Sequence, residues 1–402
     1  MEIDFKSRIN FLAGDNGLGK SFLLDAAWWA LTRTWARGVL LPHPHPSKPE
    51  IEYSYTKRTP GPYSAVSKFE RATENWPNQR GRPPIPGLVI YAQVDGGFSV
   101  WDPARNYWKG EDQERPDAYH FQPDEVWAGL PKEKPVKLCN GLISDWASWQ
   151  LEGGEAFSQL TRVLEALAPS PGEPLVPGRL RKISLDDARR HPTLVMPYGQ
   201  EVALAHASAG VRRIVSLAYL LVWTWQEHLA SAELRGESPV REIIFLIDEI
   251  EAHLHPQWQR RIVPSLIDVM EAITGDRNIP VQLIAATHSP MVLASVETRF
   301  DTETDGVWEL DLRDGDVVLS EFPWHRRGDA NAWLTSSVFD LSEPRSIEAE
   351  EAMKAALELL RSTSPPQEAV DAVDTKLRAA LGDTDRFWMR WTQFVRDREP
   401  TA

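Results

Sequence analysis

Eight residues near the start of the chain restrict its fold more than anything else in it. Gly14-Asp15-Asn16-Gly17-Leu18-Gly19-Lys20-Ser21 fits the pattern Gly-x-x-x-x-Gly-Lys-Ser/Thr without a mismatch. The apolar run 9–13 before it reads as a short buried strand. Residues 20–36 after it read as a helix, with Phe22, Leu23, Ala26, Ala27, Ala30 and Leu31 at helical spacing. A strand that turns through glycines directly into a helix predicts an α/β fold. The residue types also predict a chemistry. Gly14, Asn16, Gly17 and Gly19 let successive backbone N–H groups converge on phosphate oxygens at a helix N-terminus, where the dipole favours an anion. Lys20 supplies a point charge for the β- and γ-phosphates, and the Ser21 hydroxyl is a ligand for Mg²⁺.

A P-loop needs partners, and the second half of the chain offers three. The apolar run 242–247 ends in Asp248-Glu249. A buried parallel strand delivers its C-terminal residues to the ligand crevice, so Asp248 is expected to hold Mg²⁺ through water and Glu249 to act as general base on the attacking water. The strand 281–286 ends in Thr287-His288-Ser289, which places His288 beside the γ-phosphate as a sensor. Ser208-Ala209-Gly210-Val211-Arg212-Arg213 opens a helix over roughly 210–232. There Ser208 and the Gly210 amide form a second helix start suited to capping phosphate.

In this order, P-loop, Ser-x-Gly helix start, Asp-Glu strand and His strand, the set resembles the ABC-type ATPase superfamily, in its soluble branch with the SMC-like and RecF-like ATPases. The likeness covers 9–40 and 200–295. It implies an ABC-type P-loop NTPase domain with a mixed sheet, a Mg²⁺-dependent ATPase. It also implies a head-to-tail dimer, because in that family the Ser-Gly signature of one subunit closes on the ATP held by a second copy. The segment Glu251-Ala-His-Leu-His255-Pro256 resembles the family's dimer-contacting loop. Departures are visible: the signature reads Ala-Ser-Ala-Gly-Val rather than the transporter form, and the strand before the P-loop is short. Gln93, at the end of an expected strand 88–94, is the candidate for the family's Mg²⁺-sensing glutamine.

Two further stretches, Asp95-Gly-Gly-Phe-Ser-Val-Trp-Asp-Pro103 and Leu334-Thr-Ser-Ser-Val-Phe-Asp-Leu-Ser342 with Pro344-Arg345-Ser346 and Glu348-Ala-Glu350, resemble ATPase subunits of anti-phage systems of the Septu and retron-associated types, which work with an HNH nuclease. That likeness implies a nucleotide-switched dimer regulating a nuclease effector. The competing reading is a RecF-like ATPase that clamps DNA, with Arg179, Arg181, Lys182, Arg189 and Arg190 lining a groove. A fused nuclease using Asp311, Asp314 and Asp316 is disfavoured, because they fall in an expected hairpin at 307–321 with Arg-Asp-Gly-Asp as its turn.

The remainder predicts organisation. Residues 1–41 and 200–322 are expected to form the ATPase core. Residues 42–199 are expected to be an inserted β-rich lobe plus a helical segment (155–168), and 323–402 a helical C-terminal region. Helices are also expected at about 256–273 and from about 346. Of 402 residues, 17 are Trp and 31 Pro, and the Trp residues are expected mainly in the core. The formal net charge of -14 argues against a surface that coats nucleic acid everywhere, though not against a local basic groove. One cysteine, Cys139, excludes an intramolecular disulfide and a Cys-rich metal site. The acidic N-terminus lacks a signal pattern, and the longest apolar run, 214–225, is too short to span a bilayer; a cytoplasmic location is expected. Near the C-terminus, Phe387, Trp388, Trp391, Phe394 and Val395 form a helical apolar stripe, which must dock on the ATPase domain or on another chain.

Overall fold

A computed structural model describes residues 1–42, 49–56, 62–77, 86–107, 116–133, 136–276 and 279–398. They divide into two compact units, Met1–Ala330 and Asn331–Ala402. No helix among the described residues is long and apolar enough to cross a membrane.

The first unit is built on an eight-stranded mixed sheet. Its strands are β1 (Ile9–Gly14), β2 (Leu88–Ala92), β3 (Phe98–Trp101), β4 (Tyr119–Phe121), β5 (Ile243–Ile247), β6 (Val281–Ala286), β7 (Asp305–Arg313) and β8 (Asp316–Glu321), in the spatial order β8-β7-β1-β6-β5-β2-β3-β4. From β7 to β2 neighbours run parallel, whereas β8, β3 and β4 add antiparallel edges. The central strands are apolar almost without alternation because helices cover both faces of a parallel sheet; β1 and β2 are buried at every residue. The β7–β8 hairpin turns at Asp314 (φ 53°) and Gly315 (φ 90°), the doubly positive geometry that suits the right-handed twist of a hairpin. The α/β class and mixed sheet expected from the sequence are what the chain forms. The lobe assignment needs correction: Leu88–Ala92, Phe98–Trp101 and Tyr119–Phe121, placed by the sequence in an insertion, are strands of the main sheet. Their brevity hides this: Leu88–Ala92 joins the sheet by pairing with the distant Ile243–Ile247, and the other two follow it as short antiparallel neighbours.

Helix α1 (Lys20–Thr32) follows the P-loop. Its buried side chains are Leu24, Asp25, Trp28, Trp29 and Thr32 beside Lys20, while Phe22, expected on the apolar face, is exposed. The helix is covered by two layers, so a single stripe does not describe it. Leu24 and Trp28 join the sheet core with Leu12, Val89, Tyr91, Leu246 and Ile284. Trp29 meets Tyr53 and Trp76, at ring separations of 5.8 and 6.5 Å, on the side of the separate hairpin Glu50–Thr56/Pro62–Lys68. The helix stops at Thr32, short of the expected residue 36, because Arg33 turns left-handed (φ 59°).

Helix α2 (Glu155–Ala166) packs between α3 (Ala209–Arg235) and α4 (Ile262–Thr274). The helix expected over 256–273 is divided into a turn at Pro256–Gln259 and α4. Pro264 explains the break: without an N–H it fits the first turn of a helix and not its interior. In the second unit, α5 (Ile347–Arg361), α6 (Gln367–Ala380) and α7 (Phe387–Arg396) share a core of Ala352, Met353, Ala356, Val370, Leu377, Phe387 and Trp391. The C-terminal stripe therefore closes within its own small helical unit, where Trp391 Nε1 donates to Asp374 Oδ1 at 2.9 Å.

Candidate nucleotide site

Parallel strands with matched register end at one edge, and that edge collects the polar residues. Leu12 pairs with Ala286, and Ile247 with both Ala285 and Ala92. The residues just beyond are joined in turn: Asp248 N donates to Ala92 O at 2.9 Å, and Thr287 N to Leu12 O at 3.0 Å. Gly14, Gln93, Asp248 and His288 thus emerge side by side.

Gly14 has φ 129°, and a Cβ there would meet the Leu310 carbonyl oxygen at 2.1 Å, so only glycine lets β1 lie against β7 and still enter the loop. Gly17 (φ 80°) and Gly19 (φ 98°) carry the loop into α1 at Lys20. Asn16 is exposed and Ser21 half-buried beside them. Lys20 is 5% exposed, and its Nζ donates to the carbonyls of Gly14 (2.8 Å) and Asp15 (2.7 Å), so its cation is held inside the loop it serves. Burial lowers its pKa, opposed by the charges of Glu249, Asp15, Asp248 and Glu251.

Asp248 is 1% exposed. Glu249 is half-buried and left-handed (φ 48°), an uncommon conformation for its type and one that collects at functional sites. His288 is half-buried. Burial, and then the charge of Lys20, lower its pKa, against Glu249 and a contact with the Gly14 backbone, so its ring is held neutral. Gln93 is 5% exposed, with Nε2 donating to Ser99 Oγ at 3.0 Å; Ser99 Oγ lies 2.9 Å from His120 Nδ1. A hydroxyl has one proton. If Ser99 accepts from Gln93 it gives that proton to His120, whose pKa burial lowers, and the carbonyl oxygen of Gln93 is left for another partner.

Ser208 caps α3, its Oγ accepting from Val211 N at 3.5 Å. A Cβ on Gly210 would meet the His253 carbonyl at 2.7 Å, so the signature helix rests on the loop that follows the two acids. From the first turns of α3, Arg213 feels the charges of Asp95, Asp248 and Glu249, while burial lowers its pKa.

Four contributors escaped sequence reading. Glu251 is not only a loop residue: its Oε2 accepts from Thr287 Oγ1 at 2.8 Å and its Oε1 from the His288 backbone N–H. Asp25, Arg37 and Tyr91 form a cluster with Asp248: Arg37 contacts Asp25 at 3.1 Å, Tyr91 OH at 2.8 Å and Asp248 Oδ2 at 3.3 Å. Only an acid and a tyrosine at otherwise apolar positions hinted at this. The basic run lies elsewhere and is partly paired, Arg181 with Glu201 and Arg189 with Asp187. Asp311 is bonded to Arg313 on the β7–β8 hairpin.

The fit to Mg²⁺ rests on donor chemistry. Ser21, Asp248 and Gln93 offer hydroxyl, carboxylate and amide oxygens, the hard donors this ion prefers alongside phosphate and water. Among the described residues no cluster of three His, Cys, Asp or Glu side chains could hold a metal by itself.

Residues 127–294 match a family model described as "AAA domain, putative AbiEii toxin, Type IV TA system", a span that includes Ser208, Gly210, Asp248, Glu249 and His288. A probable ATPase of retron Ec83 from Escherichia coli is 31% identical over 100 residues, covering 25% of this chain and 15% of that protein. The Septu protein PtuA of Bacillus mycoides (strain KBAB4) is 29% identical over 138 residues, covering 34% and 17%. The chain thus spans less than a fifth of the length of these two relatives. An SMC head domain from Thermotoga maritima overlaps 80% of this chain and 93% of its own, with 13% identity and a TM-score of 0.38.

Proposed function

We propose that this chain, similar over part of its length to a probable ATPase of a retron and to a Septu protein, is an ABC-type ATPase that binds ATP with Mg²⁺ and hydrolyses it between two copies of itself. The closed pair regulates a partner effector, a nuclease, in anti-phage defence. The observation that carries the nucleotide reading is the convergence of Lys20, Asp248, Glu249 and His288 at one sheet edge beside a P-loop. In this reading the loop amides and Lys20 bind the β- and γ-phosphates, Lys20 exchanging its two loop carbonyls for phosphate oxygens. Ser21, Asp248 and Gln93 hold Mg²⁺, which supplies charge neutralisation between the phosphates when bound. Glu249 takes the proton of the attacking water, and His288, kept neutral, orients against the γ-phosphate. What supports a second copy is the Ser208–Gly210 helix start. It matches the signature by which that superfamily closes on a second subunit's nucleotide, and in its own chain it rests on the His253 carbonyl. The similarity to a probable retron ATPase and to a Septu protein supports the effector.

The test measures ATP affinity, phosphate release and light-scattering mass on wild type and Lys20→Ala, then asks what co-purifies when the chain is expressed with its genomic neighbours. ATP-dependent doubling of mass and a co-purifying nuclease support the reading. ATP binding unaffected by Lys20→Ala overturns the nucleotide site, and ATP hydrolysis by a strict monomer overturns the shared one.

A further inference from the structure

We propose that Arg37 is a positioning residue for Asp248, clamped by Asp25 and Tyr91, and that it presents the Asp248 carboxylate to Mg²⁺; this rests on the nucleotide reading above. Arg37 lies beyond the end of α1, yet its guanidinium returns beneath the site. Its Nε and Nη2 reach the two oxygens of Asp25 at 3.2 and 3.1 Å, a bidentate fork. Nη2 also donates to the Tyr91 hydroxyl at 2.8 Å, which leaves Nη1 to contact Asp248 Oδ2 at 3.3 Å. Asp25, Tyr91 and Asp248 are respectively 8%, 0% and 1% exposed.

The number of contacts assigns the roles. Three contacts to Asp25 on α1 and Tyr91 on β2 fix the guanidinium, and its single remaining contact orients Asp248. Oδ2 faces the guanidinium and Oδ1 is left for the metal. Without Arg37, Asp248 would lose the donor that fixes which of its oxygens faces away from the site. Lysine has no planar fork and cannot make the bidentate grip and reach Asp248 at once.

The test uses the full chain, with Mn²⁺ as the metal probe. ATP binding is first measured by calorimetry in EDTA; Mn²⁺ binding at saturating ATP is then followed by electron paramagnetic resonance. Arg37→Met is expected to bind ATP in EDTA as wild type does and to bind Mn²⁺ about 10- to 100-fold more weakly, the usual cost of losing a group that orients a metal ligand. Arg37→Lys recovers part of the affinity. Tyr91→Phe, which keeps the ring and removes only the hydroxyl, weakens Mn²⁺ binding in the same direction, so the inference does not depend on one variant's folding. Unchanged Mn²⁺ affinity in Arg37→Met and Tyr91→Phe overturns the proposal and leaves the nucleotide reading intact. So does a parallel loss of metal-free ATP binding, Mn²⁺ binding and melting temperature, since that marks structural support alone. Failure of wild type to bind ATP at all overturns both.

Discussion

Glu251 joins the loop after β5 to the end of β6 by accepting the Thr287 hydroxyl at 2.8 Å. Through its other oxygen it holds the backbone N–H of His288. Burial raises the pKa of Glu251, and these two bonds oppose that rise. Glu251→Ala is therefore expected to cost about 1–3 kcal/mol of stability, the penalty for leaving a buried donor unpaired, and to loosen His288. ATP should still bind while hydrolysis falls. Urea unfolding and phosphate release check the two halves; a variant with wild-type turnover would remove Glu251 from the site.

Glu249→Gln is expected to retain ATP affinity and to hydrolyse on the order of 10²-fold or more slowly, the usual loss on removing a general base. If ATP joins the two copies, this variant accumulates as a nucleotide-bound dimer, which scattering mass with and without ATP detects.

Gly210→Ala places a methyl group 2.7 Å from the His253 carbonyl, backbone that cannot swing aside. The α3 start must then lift from the loop beneath it. Binding by a single copy should persist and ATP-dependent association should weaken. Equal association constants for wild type and variant, from sedimentation, would show that the close approach has no part in assembly.

His120 supplies a pH dependence. Burial lowers its pKa, with Asp117 opposing and Arg105 adding to the effect, whereas in the unfolded chain it titrates near the ordinary value of about 6.5. Below that pH the unfolded state binds more protons than the native one, so this contribution is complete above about pH 6.5 and is lost as pH falls. Wild type should lose more stability than His120→Gln between about pH 7.5 and 5.5, by at most about 1.4 kcal/mol per pH unit for one proton. Parallel losses in urea midpoints for the two proteins would contradict it.

Trp391 is 1% exposed in the core of the second unit. Trp391→Ala should cost that unit about 3–5 kcal/mol, while a nucleotide site built from residues of Met1–Ala330 keeps its ATP affinity. Calorimetry and ATP titration of the same sample read both.

The residues legible in the sequence are those whose chemistry demands a fixed type at a fixed spacing. The P-loop is contiguous, Asp248 and Glu249 terminate an apolar run, and His288 follows another. The Arg37 cluster has no such signature, because its partners stand 12, 54 and 211 positions away and meet only once β2 lies beside β5. Glu251 falls in a segment whose family likeness points outward to a partner, whereas its carboxylate turns inward to β6. The β2–β4 strands were obscured for a related reason. Runs of three to five residues carry too little periodicity to reveal which sheet they join, and parallel register comes from distant neighbours.

The position of β1 also sets an order on biosynthesis. Its two flanking strands, β6 and β7, are Val281–Ala286 and Asp305–Arg313, so the earliest described strand of this sheet is bracketed by two of its latest. A ribosome that has made residues 1–280 has released an apolar strand and a P-loop with neither lateral partner. Throughout that interval Ile9–Gly14 is an unpaired edge of the kind that invites aggregation. The close approach of Gly14 to Leu310 can form only when Leu310 has left the exit tunnel. A chain arrested before β7 is therefore one for chaperones to hold.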